Sequence, residues 1–140
     1  MNASEDIVIG YRAKVVHVVD GNGLDIEMEL GCGSTLLVQC RLDGVEAPGL
    51  DDPDPEERRV AWLAKDFVEV LVRGKEVRVD ILKDRVGKHG RWPAVVFWRD
   101  AAGTWWNLNA DLVENGLAAA VPPSQEESAG YDRNAPEAIA

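Results

Sequence analysis

Long apolar runs are missing from this chain: no stretch approaches the ~18 residues that a membrane-spanning helix needs, so no membrane association is expected. Basic residues are scarce as well. Fifteen lysines and arginines stand against twenty-five aspartates and glutamates, a net charge of −10. That sign disfavours nucleic acid held through a generally basic surface. The only cysteines are Cys32 and Cys40, too few for a disulfide framework or a zinc cage. The opening residues Met1 to Gly10 carry Glu5 and Asp6 and lack the basic n-region and long apolar h-region of a secretory signal. The expected location is therefore the cytoplasm, or incorporation into a larger assembly.

What remains is an ordinary globular composition: 140 residues, 46% apolar, 29% charged. That length suits one domain with its own core. Charge is unevenly spread. Residues 1–57 sum to −10, residues 58–99 to +6 and residues 100–140 to −6, a basic middle between acidic ends. The expected division is an N-terminal extension over 1–10, a folded domain over 11–121 and a flexible or partner-ordered tail over 122–140, where Pro, Ser, Glu, Ala and Gly follow no period.

Hydrophobic periodicity predicts five strands and two helices. Val15, Val16, His17, Val18 and Val19 form a β-branched run, and Asp20-Gly21-Asn22-Gly23 is a turn signal. Leu24, Ile26, Met28 and Leu30 then alternate with acids, and Gly31-Cys32-Gly33 turns the chain into a third strand, Ser34 to Leu42. Leu36, Val38, Cys40 and Leu42 share one parity there, which points Arg41 away from the core. Cys32 at the hairpin tip and Cys40 eight residues on lie ~25 Å apart at ~3.3 Å per residue, so both are expected to be free thiols.

Asp54-Pro55-Glu56-Glu57 supplies an N-cap, a first-turn proline and first-turn acids. Val60, Leu63, Ala64, Phe67, Val68 and Leu71 follow at helical spacing up to Gly74. Val77, Val79 and Ile81 mark a fourth strand. Trp92 to Trp98 marks a fifth, which Pro93 is expected to confine to an edge or a bulge. Asn107 to Gly116 reads as a short second helix with Leu108, Leu112 and Val113 apolar. The fold class is α+β, mainly β. Five short strands with a helix inserted between strands 3 and 4, and a short helix after strand 5, suit a small closed barrel.

Four blocks then resemble the thermonuclease, or staphylococcal-nuclease-like, domain, an OB-fold barrel. They are Val-Val-Asp-Gly-Asn-Gly-Leu-Asp-Ile (18–26), Arg-Leu-Asp-Gly-Val-Glu-Ala-Pro-Gly (41–49), Gly-Lys-His-Gly-Arg-Trp-Pro-Ala (87–94) and Asn-Leu-Asn-Ala-Asp-Leu-Val-Glu-Asn-Gly-Leu-Ala (107–118). Active members of that family cleave phosphodiesters with Ca²⁺, two arginines on the phosphate and a glutamate that activates water. The chemistry suits those residue types. Guanidinium groups meet a phosphate bidentately, a hard cation polarises it, and a carboxylate aligns the nucleophile. By this resemblance Arg41 and Arg91 stand on the two arginines.

The acidic half departs from the pattern. Where the family's turn usually reads Asp-Gly-Asp-Thr, the calcium-binding aspartate is here Asn22, followed by Gly23. Where it usually reads Gly-Ile-Asp-Ala-Pro-Glu, the metal aspartate is Glu46 and the general base is Gly49, which accepts no proton. Fewer anionic ligands weaken a hard-cation site, and a lost general base costs ~10²–10⁴ in rate. The resemblance with these departures implies a non-catalytic, cofactor-free module for a protein partner or self-assembly, a structural or accessory role of the kind such domains have in bacteria, archaea and bacteriophages. A Ca²⁺-dependent phosphodiesterase with a rewired site is one alternative, in which Asp51, Asp52 or Asp54 replaces the base. A nucleic-acid or phosphate binder without turnover is the other.

Further candidates carry two readings each. Lys83, Arg85, Lys88 and His89 are either phosphate contacts or a solvated basic loop, and Trp105 and Trp106 beside a turn are either core closure or an interface anchor. Asp51 to Glu57 reads first as a helix start. His17 reads as a satisfied, partly buried histidine.

Overall fold

The structure is a computed structural model that describes residues 8–82 and 90–122. β1 (Val8–Asp20), β2 (Gly23–Gly31) and β3 (Ser34–Leu42) form an antiparallel meander. A two-residue β4 (Val45–Glu46) and a loop lead into α1 (Pro55–Val72). β5 (Glu76–Leu82) returns against β1, β6 (Trp92–Arg99) pairs with β5, and β7 (Trp105–Asn107) runs directly into α2 (Leu108–Glu114). β8 (Ala119–Ala120) pairs with β4. The sheet order β3-β2-β1-β5-β6 closes on itself through a parallel β3–β6 pairing, which makes the expected five-stranded barrel.

Closure sets the position of Pro93. The fifth strand is no edge: β6 is paired on both sides, a correction to the expectation from proline. Pro93 is tolerated because it precedes the β5 ladder, which begins at Ala94, and so is spared the donation it cannot make.

The core parity of β1 changes partway along. Ala13 and Val15 are buried on one parity and Val18 on the other, because β1 shifts register against β2 between Val15 and His17. Val16 is the extra residue of that bulge, 39% exposed. The same shift turns His17 out to solvent, where its Nδ1 lies 3.4 Å from Asp25 Oδ2, so it is more exposed than its valine setting implies.

α1 starts as its sequence dictates, with Asp54 Oδ1 accepting from Glu56 N at 3.0 Å and Pro55 in the first turn. Gly74, at φ +74°, ends it and donates its amide to Val15 O. The buried face is Ala61, Ala64, Val68 and Val72, rotated from the expected stripe, and Leu63 is left 44% exposed. Alanines win that face because helix and barrel approach closely. A Cβ at Gly21, in the β1–β2 turn, would sit 2.8 Å from Ala64 Cβ and 2.9 Å from Ala47 Cβ. Each buried valine still contributes about 1.5–3 kcal/mol.

Both cysteines are free, Cys32 exposed at the β2–β3 tip and Cys40 buried in the barrel. Burial, with a smaller contribution from the Asp25 carboxylate, pushes the Cys40 thiol up to about 12. The neutral thiol therefore favours the folded state fully at neutral pH. That contribution is lost as pH climbs past the ordinary thiol range toward 12, where the unfolded chain ionises first. A thiol reagent at mildly alkaline pH is expected to label Cys32 alone in the native protein and both cysteines in denaturant, read by mass spectrometry. Two fast labels on the native protein would contradict this burial.

Among the described residues no helix is long and apolar enough to cross a membrane.

Candidate functional site

The β1–β2 turn is built around Asp20, whose Oδ1 accepts from Asn22 N at 3.0 Å. Asn22 in turn accepts from Leu42 N through its carbonyl at 2.8 Å, tying the turn to the end of β3. Gly23 opens β2 opposite Arg41 on β3, and Arg41 stands beside Pro93 on β6. Gly23, Arg41 and Pro93 thus form one row across the seam that closes the barrel.

Arg91 enters that row from the residue before β6. Its Nη1 and Asp20 Oδ1 both lie 2.9 Å from the point where a Cβ at Gly23 would stand. A side chain there would displace the guanidinium, so the missing Cβ lets Arg91 lie against the turn. Gly23 thus has Arg41 as its cross-strand partner and the Arg91 guanidinium against it, and both arginines are half-buried. An arginine on β3 and another just before β6, both half-buried beside one turn, are residue types suited to phosphate oxygens.

The carboxylates do not join them in a comparable cluster. Asn22 Nδ2 points at Val45 O, 3.4 Å away, so its amide faces a carbonyl. Glu46 is exposed on β4. Among the described residues no three His, Cys, Asp or Glu side chains come together to hold a metal ion. A hard divalent cation takes six or more oxygens and depends on anionic ones, and Asn22 with Glu46 does not fit that demand.

Gly49, Glu46, Asp52 and Glu57 line one groove of about 540 Å³, walled on its other side by Leu117 and Ala118. The three loop aspartates divide. Asp54 is spent on the helix cap. Asp52 Oδ1 accepts from Asp54 N at 2.9 Å. Asp51 Oδ1 lies 3.4 Å from a Cβ built on Gly49, so it hangs beside the vacant position, exposed and on a loop.

Trp105 and Trp106 separate to opposite sides of β7. Trp106 is 45% exposed; its ring stacks on Trp98 at 6.3 Å and its Nε1 donates to Asp100 Oδ2 at 2.9 Å. That bond, helped by the Thr104 amide, holds the Asp100 carboxyl below its usual range. Trp98 Nε1 donates to Asp111 Oδ2, and burial outweighs that bond to push the Asp111 carboxyl up. Trp105 is half-buried between the guanidinium groups of Arg78 and Arg99, 5.8 and 5.1 Å from its ring centre.

Lys83, Arg85, Lys88 and His89 lie outside the described residues. Sequence reasoning missed Asn109, which is buried in α2 with its amide fully used, and the arginines around Trp105. The first carries no periodic signal, and the second becomes visible only once strand register is known.

A family model described as staphylococcal nuclease homologue matches residues 39–138, from within β3 onward. No curated protein matches the chain.

Proposed function

The chain belongs to the staphylococcal nuclease homologue family, and from that premise we propose that it is a non-catalytic member, a nuclease fold kept as a binding or structural module for a protein partner. The observation that carries this reading is the split at the barrel seam. Gly23 still has Arg41 as its cross-strand partner and the Arg91 guanidinium against it, whereas the positions that would complete the chemistry hold Gly49 and an Asn22 amide turned toward Val45 O. A general base must be held within hydrogen-bond reach of the water it activates, and Asp51 sits exposed on a loop. The partner half of the reading is supported by the β2–β3 hairpin. Leu30, Leu36 and Leu37 are 49%, 50% and 68% exposed there, more apolar surface on one protrusion than a freely solvated hairpin needs.

Incubation with heat-denatured DNA and millimolar calcium is expected to give no chelator-sensitive cleavage. Cleavage that disappears in Arg41→Ala and in Arg91→Ala overturns the proposal in favour of a rewired phosphodiesterase. Salt-sensitive DNA binding without cleavage, lost in the same two variants, favours the second reading, a phosphate binder without turnover, which the placement of Arg41 and Arg91 beside Gly23 supports.

A further inference from the structure

A second cationic site lies at the other end of β6. Arg12 on β1 and Arg78 on β5 are direct cross-strand partners, and Arg99 on β6 is paired with Trp105 on β7. Together with Glu76 these residues line a cleft of about 580 Å³. Like charges directly opposite on neighbouring strands repel, and relief for Arg12 is weak: Glu29 stands 3.8 Å from its Nη1, with both side chains well exposed. In a chain of net charge −10, three arginines against one glutamate in a single cleft reverse the local sign.

Trp105 organises them. Its ring lies 5.8 Å from the Arg78 guanidinium and 5.1 Å from that of Arg99, so cation–π attraction holds both heads at the cleft before any ligand arrives. Prior ordering of long side chains removes much of the entropic cost of binding, and ordered guanidinium forks suit phosphate oxygens. The cleft exceeds what a bare oxyanion fills and falls within the ~300–1,000 Å³ of small-ligand sites. Beyond the charged heads, guanidinium planes that lie over Trp105 offer surfaces on which a heterocycle stacks.

We propose that this cleft binds a nucleotide, its phosphate held by Arg12, Arg78 and Arg99 and its base laid against the Trp105–arginine stack. The site is separate from the arginine pair at Gly23: Arg91 and Arg99 stand at opposite ends of β6, ~26 Å apart at ~3.3 Å per residue. The proposal goes beyond the non-catalytic reading and does not rest on it.

Titration calorimetry with a nucleoside monophosphate, and fluorescence anisotropy with a labelled oligothymidylate at moderate salt, test it on the full chain. Both the parent and Arg41→Ala/Arg91→Ala are expected to bind at least one of these probes. Arg78→Gln/Arg99→Gln is expected to weaken that binding by ~10-fold or more, the scale of lost charge-assisted hydrogen bonds. Arg12→Gln, a change at an exposed side chain, reports the same loss if the double variant fails to fold. Equal affinity for both probes identifies a free nucleotide as the ligand. Tighter, steeply salt-dependent binding of the oligomer identifies single-stranded nucleic acid. Absence of binding to either probe, or binding lost only in Arg41→Ala/Arg91→Ala, overturns the assignment.

Discussion

Asn109→Ala is expected to lower the unfolding free energy by about 3–5 kcal/mol in urea titrations, although the side chain touches neither candidate site. Asn109 is 4% exposed, and its amide is a three-way tie. Oδ1 accepts from Val96 N at 3.1 Å, while Nδ2 donates to Asp43 O at 2.9 Å and Ala94 O at 3.1 Å. Ala94 O keeps a second donor, the Asp43 amide at 2.8 Å, after truncation. Val96 N–H loses its acceptor, a buried loss of about 1–3 kcal/mol, and the bond from Asn109 to Asp43 O is lost with it. A cavity left by the removed amide adds to this.

Asn109→Asp separates hydrogen-bond pattern from shape. The carboxylate still accepts from Val96 N but presents an oxygen to two carbonyls, so this near-isosteric variant is expected to be at least as unstable as the alanine. A loss below ~1 kcal/mol in either variant would show that the tie is dispensable. The consequence reaches the seam, because Asp43 begins the turn that leads from Arg41 to Glu46. α2, far from Arg41 in sequence, thereby fixes the exit of β3.

Much of this fold is legible in the sequence, for reasons that can be given residue by residue. Alternation in Leu24 to Leu30 and in Val77 to Ile81 marks strands because one face is dry and the other wet. Asp54-Pro55 and Gly74 mark the ends of α1 because an extended-backbone cap, a fixed φ and a left-handed stop are each met best by one residue type. Legibility fails where a second element decides. The bulge at Val16 depends on pairing with β2. The burial of Ala64 in preference to Leu63 depends on how closely α1 approaches the β1–β2 turn. Pro93 depends on where the β5 ladder begins.

The candidate sites divide in the same way. Arg41 and Arg91 stand out in sequence only through family resemblance, and their placement on either side of the barrel seam follows from the parallel β3–β6 closure, which no local pattern encodes. Arg12, Arg78 and Arg99 lie on three different strands with no motif between them, and register alone makes them neighbours. Trp105 shows the limit from the other side. It is conspicuous as a residue, and what it does is set by the two arginines placed beside it.

Asn22→Asp with Gly49→Glu is expected to give a protein whose stability depends on calcium. In chelator the double variant should be less stable than the parent. The carboxylate introduced at position 22 replaces an amide donor facing Val45 O and stands in the turn already held by the Asp20 carboxylate. The side chain introduced at position 49 projects toward Asp51 Oδ1, which lies 3.4 Å from a Cβ built on Gly49. Crowded carboxylates repel, and a bound divalent ion relieves the repulsion. Calcium at about 100 times its dissociation constant then returns roughly 2.7 kcal/mol, because the ion binds the folded state alone. The parent's melting temperature should not move across the same titration. Gly49 is open to the change, since its φ lies outside the left-handed region and only the Asp51 carboxylate is nearby. If the double variant gains no calcium dependence, the loop from Val45 to Asp54 has moved away from the arginine pair, and altered backbone geometry as well as lost side chains keeps the site silent. If the parent itself is stabilised by calcium, Asn22 and Glu46 already hold the ion, and the non-catalytic reading loses its support.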